Sequence, residues 1–511
     1  MPLPQRMSVA AALAALISLP LPAQTSSRPG SSAPRVGPAH GTVIVVGGGA
    51  MGPEIYSRFI AAAGGPDALI VDVPTAGGDS VYGQNAPGTR GWKAAGAKHV
   101  VVLHTTDRKL ADSDSFAAIL KQAGGVWFEG GRQFHLVDSY AGTKTEQGFH
   151  DVLARGGVVG GSSAGASILG DFLVRGAPSN NNMIMDSPGY EKGFAFLRGV
   201  GIDQHVVARE RLADLADSIM PKYPTLLGMS EDEGTAWVVQ GDTATIIGRD
   251  KAFVYGGKDA TDASKPFLTL HPGDRYDLGA RHVLHRAASE SPVSAEFLGS
   301  LIKQHVKSGA QATVLVAENG KVFVDTSFGI PAQAKYMPTT TVPQFALGHL
   351  ADPIAMICSK LPPPPAGRGG AGRGRGNAPP MTPFQTCVTR QIGGSVGWHK
   401  TTADADSTMH SDVDELYRLE LWLESLATLD RDPAQAAAAA AAGIDLNAGW
   451  QRDAVNGEAR YAAYGVEGGK RDAFVRLPDR RASVIILTDD DNADVKAVAD
   501  AITAKLAAAP R

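Results

Sequence analysis

Gly157-Val158-Val159-Gly160-Gly161-Ser162-Ser163-Ala164-Gly165-Ala166-Ser167-Ile168-Leu169 is the stretch that decides how this chain folds. An apolar run enters a glycine pair, two serines and a further glycine, and helix-forming residues follow. Strand, sharp turn and helix in that order are the setting of a Gly-x-Ser-x-Gly elbow, which holds its central serine exposed at the end of a sheet strand. Gly161 and Gly165 remove side chains from a turn too tight for a Cβ, and their frame selects Ser163 rather than Ser162 as the candidate nucleophile. The Ala164 amide, at the helix start, is the first candidate donor to an oxyanion, with the helix N-terminus adding favourable partial charge. The same pattern also occurs as a plain strand-to-helix turn, so its surroundings matter.

Working outward, short apolar runs at residues 43–46, 68–71, 99–103, 125–128 and 157–159 alternate with helical spacing at 53–63 and 113–123. Such runs read as buried parallel strands, and the alternation predicts an α/β unit over residues 41–285, a mostly parallel sheet flanked by helices with chemistry at the strands' carboxyl ends. The runs at 235–239, 243–247 and 252–255 predict a later, partly antiparallel portion. Glu129-Gly130-Gly131-Arg132-Gln133 directly follows one apolar run. Gly131 is therefore a candidate for the second oxyanion amide and Gln133 for a neutral substrate contact.

Residues 290–511 read differently. A helix-like stretch leads into runs at 313–317 and 321–324 joined by Glu318-Asn319-Gly320, a strong hairpin signal. The chain closes with an apolar strand at 483–487 and a helix at 494–506, so this half is predicted as a separate α+β domain. A Pro/Gly/Arg-rich insert at 361–383 interrupts it, flanked by Cys358 and Cys387, the two cysteines of the chain. They can pair or remain as two buried thiols. The alanine tract at 436–442 reads as plain helix.

The composition supports folding, with 43% hydrophobic and 20% charged residues over 511 positions. A formal charge of −4 supplies no basic field, so nucleic acid is not expected as a partner. Arg6 followed by an apolar stretch from Val9 to Leu21 and then Pro22-Ala23 reads as a signal peptide over residues 1–23, with a linker at 24–40. The stretch is short for a membrane span, so the mature protein is expected to be secreted or periplasmic with no membrane span. No zinc-ligand spacing is present, and no metal or cofactor is expected. Self-association is left open.

Beyond the elbow stands Gly201-Ile202-Asp203-Gln204-His205, with Arg209 and Arg211 behind it, and further on Gly228-Met229-Ser230-Glu231-Asp232-Glu233-Gly234-Thr235-Ala236. With Gly130-Gly131-Arg132-Gln133 and Gly161-Ser162-Ser163-Ala164-Gly165-Ala166, these four motifs in this order resemble the cyanophycinases and their dipeptidase relatives, over roughly residues 41–255. The resemblance implies a serine peptidase in which His205 activates Ser163 and water hydrolyses an acyl-enzyme. It further implies that Asp203, Gln204, Arg209 and Arg211 line the substrate site, and that the substrate is cyanophycin or another β-linked aspartyl peptide. An aspartyl dipeptidase is the alternative. The family's triad glutamate is sought in the loop after the elbow, but that loop reads Pro178-Ser179-Asn180-Asn181-Asn182-Met183. Asn181 is then the candidate to orient the imidazole, with Asp186 or Glu191 as the acids nearby.

The second half resembles, in patches, the serine β-lactamase and penicillin-binding-protein fold. The pieces are the hairpin around Glu318-Asn319-Gly320-Lys321, the helix start Ser411-Asp412-Val413-Asp414-Glu415-Leu416-Tyr417-Arg418, and Ala473-Phe474-Val475-Arg476-Leu477-Pro478-Asp479. That chemistry needs a Ser with a Lys one helical turn on, whereas the corresponding stretch offers His349 and Asp352, which implies a non-catalytic module. A rival reading of the first half rests on Gly47-Gly48-Gly49-Ala50-Met51-Gly52 after a strand, with Asp72 ending the next strand, a dinucleotide fingerprint that alone would favour an oxidoreductase. Against it stand Pro53 at the helix start, the export signal, and the elbow and Asp-Gln-His motifs that it leaves without a role.

Overall fold

The computed structural model describes residues 36–49, 51–178, 184, 187–257, 266–287, 292–329, 344–361, 381–396, 398, 400–427, 445, 447–467 and 470–509. The predicted signal peptide, Asn181, Asp186, most of the Pro/Gly/Arg insert and the alanine tract lie outside the described residues. Among the described residues no helix is long and apolar enough to cross a membrane.

Among the described residues, fourteen strands precede residue 286: β1 (Thr42–Val46), β2 (Leu69–Val73), β3 (His99–Val102), β4 (Ala123–Phe128), β5 (Val158–Ser162), β6 (Gly170–Phe172), β7 (Leu197–Gln204), β8 (Leu227–Glu231), β9 (Thr235–Gln240), β10 (Thr243–Gly248), β11 (Ala252–Tyr255), β12 (Phe267–Leu270), β13 (Arg275–Asp277) and β14 (His282–His285). A nine-stranded sheet runs β14-β13-β10-β9-β1-β5-β4-β2-β3 and a five-stranded sheet β12-β11-β8-β7-β6. The large sheet is parallel from β1 to β3 and antiparallel from β1 out to β14. The expected parallel portion with its flanking helices and the expected later antiparallel portion thus form one mixed sheet. Tight antiparallel turns, such as Gly241-Asp242 between β9 and β10, replace crossover helices on that side.

Both faces of the large sheet are covered, which explains the uninterrupted apolar runs. Ile44 and Val46 face one core with Phe59, Trp92 and Trp127, while Val43 and Val45 face another shared with the small sheet through Ile202, Met229 and Val254. The helix Pro53–Ala62 forms as expected, with Pro53 at its first turn. Residues 113–123 instead give two single turns, Asp114–Ala117 and Ala118–Lys121, before β4 begins.

The rest of the chain forms β15 (Ala312–Glu318), β16 (Lys321–Phe328), β17 (Phe345–Ala346), β18 (Thr402–Ala403), β19 (Met409–Ser411), β20 (Gln451–Val455), β21 (Glu458–Glu467), β22 (Lys470–Leu477) and β23 (Ala482–Thr488). Six of them make an antiparallel sheet, β16-β15-β23-β22-β21-β20, and β17-β19-β18 a small one. The Asn-Gly hairpin turns with φ of 54° at Asn319 and 77° at Gly320, the positive values such a turn requires. Helices Ala295–His305 and Val495–Ala508 cover one face of the six-stranded sheet, and helix Val413–Ala427 packs Leu416, Leu419 and Leu423 on the other. Cys358 and Cys387 form a disulfide.

Candidate active site

The ends of two parallel pairs, β1 with β5 in the large sheet and β7 with β8 in the small one, converge. β1 delivers Gly47 to Gly49, β5 delivers Ser163, β7 delivers His205, and β8 delivers Glu231 to Glu233. β7 and β8 pair in parallel with Gln204 opposite Glu231, so the residues beyond them leave the small sheet side by side.

At the elbow, Ser163 adopts φ 57° and ψ −115°, a conformation that costs energy in any residue with a side chain. The turn is closed by contacts only glycines allow: a Cβ on Gly161 would lie 2.2 Å from Gly165 O, and one on Gly165 2.0 Å from Phe128 O. The Ser163 amide donates to Val46 O at 3.0 Å. The helix after it spans only Ala164–Ser167, and the chain then turns into β6. With so short a helix, any stabilisation of an oxyanion falls to individual amides rather than to a macrodipole. Gly130 packs tightly beside the serine, where a Cβ would sit only 3.3 Å from Ser163 Cβ. Gly131, with φ 145°, is folded onto Ala76.

His205 is buried, also has positive φ (55°), and is tied to the glycine run by its amide, which donates to Gly47 O at 3.0 Å. Its Nε2 lies 2.8 Å from Ser163 Oγ and its Nδ1 2.6 Å from Glu233 Oε1. An ionised carboxylate can only accept, so Nδ1 carries the ring proton and Nε2 receives the serine O–H. Burial pushes the imidazole below its ordinary value of 6.5, and Glu233 pulls the other way. The ring is thus held neutral and ready to take a proton near pH 7.

The partner of Nδ1 differs from those sought in the sequence. Glu191 bonds instead to the Gly189 amide at 2.9 Å. Glu233 occupies Nδ1 because the parallel ends of β7 and β8 bring it there. It stood within the quoted Gly228-to-Ala236 motif, and three consecutive acids after an apolar run were the available signal.

Asp203 and Gln204 point into the protein. Asp203 is gripped by Nε and Nη2 of Arg175, each at 2.9 Å, and Gln204 Nε2 donates to Ser167 Oγ at 3.4 Å. Arg211 is buried and donates to the backbone and side-chain oxygens of Gln204; burial and then Arg175 push it down to about 10. Gln133 is buried with Nε2 donating to Val174 O at 3.1 Å. Arg209 is exposed on the turn after His205, its amide donating to His205 O at 2.9 Å.

The glycine run has a different occupant from a dinucleotide. A Cβ on Gly48 would lie 2.0 Å from His205 Cε1, and one on Gly49 2.6 Å from Glu233 Oε2. Asp72, the acid a ribose would need, is fully buried and accepts from Thr89 Oγ1 at 2.8 Å.

Residues 43–247 match the model of peptidase family S51. A cyanophycinase of Synechococcus elongatus is 29% identical over 274 residues, covering 48% of this chain and 82% of that protein. One of Geminocystis herdmanii is 29% identical over 256 residues, covering 46% and 93%. Among solved structures, a peptidase from an acI-B1 actinobacterium matches with a TM-score of 0.36 and 23% identity, covering 47% of this chain and 97% of that one.

Proposed function

We propose that the N-terminal half of this chain, whose residues 43–247 match the model of peptidase family S51, is a serine-type peptidase that cleaves cyanophycin or related β-linked aspartyl peptides through an acyl-enzyme on Ser163. The observation that carries the mechanism is the hydrogen-bonded line Ser163 Oγ, His205, Glu233. In this reading Ser163 Oγ attacks the peptide carbonyl carbon as its proton passes to His205 Nε2. Glu233 stabilises the imidazolium and fixes the ring. The Ala164 and Gly131 amides hold the oxyanion. Collapse expels the amine, which takes the proton from Nε2; water, deprotonated by the same nitrogen, then releases the acid and restores Ser163.

Of the two arginines considered for the substrate carboxylate, Arg209 is supported by its exposure beside His205, while Arg211 is engaged with Gln204. The substrate class rests on the similarity to cyanophycinases. The disulfide fits the oxidising compartment that an exported chain would meet. The test is a digest of purified cyanophycin by parent and Ser163→Ala. Release of β-aspartyl-arginine by the parent and none by the variant is expected. Cleavage of N-terminal aspartyl dipeptides alone would move the assignment to the dipeptidase class, and turnover by Ser163→Ala would overturn it.

A further inference from the structure

We propose that Arg418, contributed by the C-terminal half, is a positioning residue for the Ser163, His205 and Glu233 array. The inference rests on the catalytic reading of that array. Arg418 lies on helix Val413–Ala427 and is 5% exposed. Its Nη1 donates to Glu233 Oε2 at 3.1 Å and its Nη2 to Asp232 Oδ2 at 2.8 Å. Glu233 therefore divides its two oxygens, Oε1 to the imidazole and Oε2 to the guanidinium. Asp232 is similarly divided, because its Oδ1 accepts the amides of Val207 and Ala208 at 3.1 and 2.9 Å. Those amides form the turn directly after His205. One planar fork thus holds both the acid that faces the ring and the acid that pins the backbone behind it.

The guanidinium is itself fixed. Leu416, Leu419 and Leu423 seat its helix on Leu315, Ile485 and Leu487, and Asp412 caps the helix by accepting the Glu415 amide at 2.9 Å. Asp250 stands 3.8 Å from Nη2, and the neighbouring Arg249 donates to the Glu233 carbonyl at 3.3 Å. Two other ion pairs, Lys251 with Asp325 and Lys400 with Glu210, join the same halves without touching the array. They would serve simple adhesion. Arg418 differs in meeting the carboxylate that faces His205. Without it, two adjacent buried carboxylates would confront one another, an arrangement that favours protonating one of them and freeing the other to turn. A protonated or rotated Glu233 no longer holds the ring.

The experiment uses the full chain and a fluorophosphonate that reacts with an activated serine, so the readout does not depend on the natural substrate. The labelling rate at Ser163 is followed across pH in the parent, Arg418→Met, Arg418→Lys and Arg460→Met, the last breaking a pair with Asp453 and Asp500 elsewhere in the same half. Arg418→Met is expected to label about 10- to 100-fold more slowly, as misplacement of a catalytic group does. Its acid limb should move to higher pH, since loss of a positive charge favours the protonated array. Arg418→Lys keeps the charge and loses the fork, so it should slow labelling while leaving the limb in place. Arg460→Met should keep the parent rate and profile. A parent-like rate and profile in Arg418→Met, or in Arg418→Lys should the former not fold, overturns the inference. Failure of the parent to label at Ser163 would instead strike the catalytic reading, which Ser163→Ala run alongside identifies separately.

Discussion

Gly48 and His205 are in such close contact that a single methyl group on the glycine would lie 2.0 Å from the ring's Cε1 and 2.4 Å from Nε2. Gly48 also has φ 104°, a region open chiefly to glycine. Gly48→Ala should therefore push the imidazole off Ser163 Oγ and lower kcat about 100-fold. Steady-state kinetics checks this, and parent-like kcat in the variant would contradict the packing role assigned to the glycine run.

The buried imidazole sets the pH dependence. His205 acts as a base when neutral, and burial holds it below 6.5. Activity should fall as pH drops through that lowered value, so the acid limb of kcat/KM should lie below 6.5. Glu233→Gln removes the charge that favours imidazolium and should lower kcat roughly ten-thousandfold, as loss of a triad carboxylate does. A limb above 6.5 in the parent would contradict the neutral, buried ring.

A second buried acid pair predicts a stability effect apart from catalysis. Glu129, hydrogen-bonded to Asp72, is pushed by burial and then by the Asp72 charge from 4.5 up to about 8, while burial pushes Asp72 from 3.8 up to about 6. A carboxyl with a raised folded value stabilises fully below its unfolded value and loses that contribution as pH rises through the folded one. Denaturant midpoints of the parent should fall relative to Glu129→Gln as pH rises from 4.5 to about 8. Parallel curves for the two proteins would contradict the shift.

The Cys358–Cys387 bond closes a segment of 29 residues. A cross-link of that span restricts the unfolded chain by about 3–4 kcal/mol. Reduction, or the double substitution to serine, should lower the denaturant midpoint of the C-terminal half correspondingly. An unchanged midpoint after verified reduction would show that the loop is fixed by other contacts.

His349 and Asp352 stand 3.2 Å apart on the surface, both well exposed. Neither can replace an acylated serine beside a lysine. The Ser163→Ala chain should accordingly neither hydrolyse nitrocefin nor retain a penicillin covalently. Mass spectrometry of the treated protein detects any adduct, and one in the C-terminal half would restore it as an acylating domain.

Local chemistry made part of this legible in the sequence. The elbow announces itself because its glycines are required within five residues of one another, and the Asn319-Gly320 turn for the same reason. The strands β1 to β5 were visible as unbroken apolar runs. The partly antiparallel character of the later strands was expected and is observed, but their division between two sheets was not legible, since an apolar run does not name the strand it pairs with. Nor could the sequence say that Asp203 is turned inward to Arg175, or that Gln133 donates to Val174, because a polar residue's role is set by partners remote in the chain. Arg418 shows the limit most clearly, lying 185 positions from Glu233.

The register of β7 against β8, Gln204 opposite Glu231, assigns three neighbouring acids to three different fates. Glu231 is sealed in the interior, where burial drives it toward the uncharged form. Asp232 straps the bend after His205, and Glu233 meets the ring. Glutamate and aspartate chemistry alone would not distinguish them. A deletion of one residue within β8 would shift every acid by one station, offering His205 the position beyond Glu233, which is Gly234. Spacing along this strand, more than the number of acids on it, encodes whether the histidine has a partner.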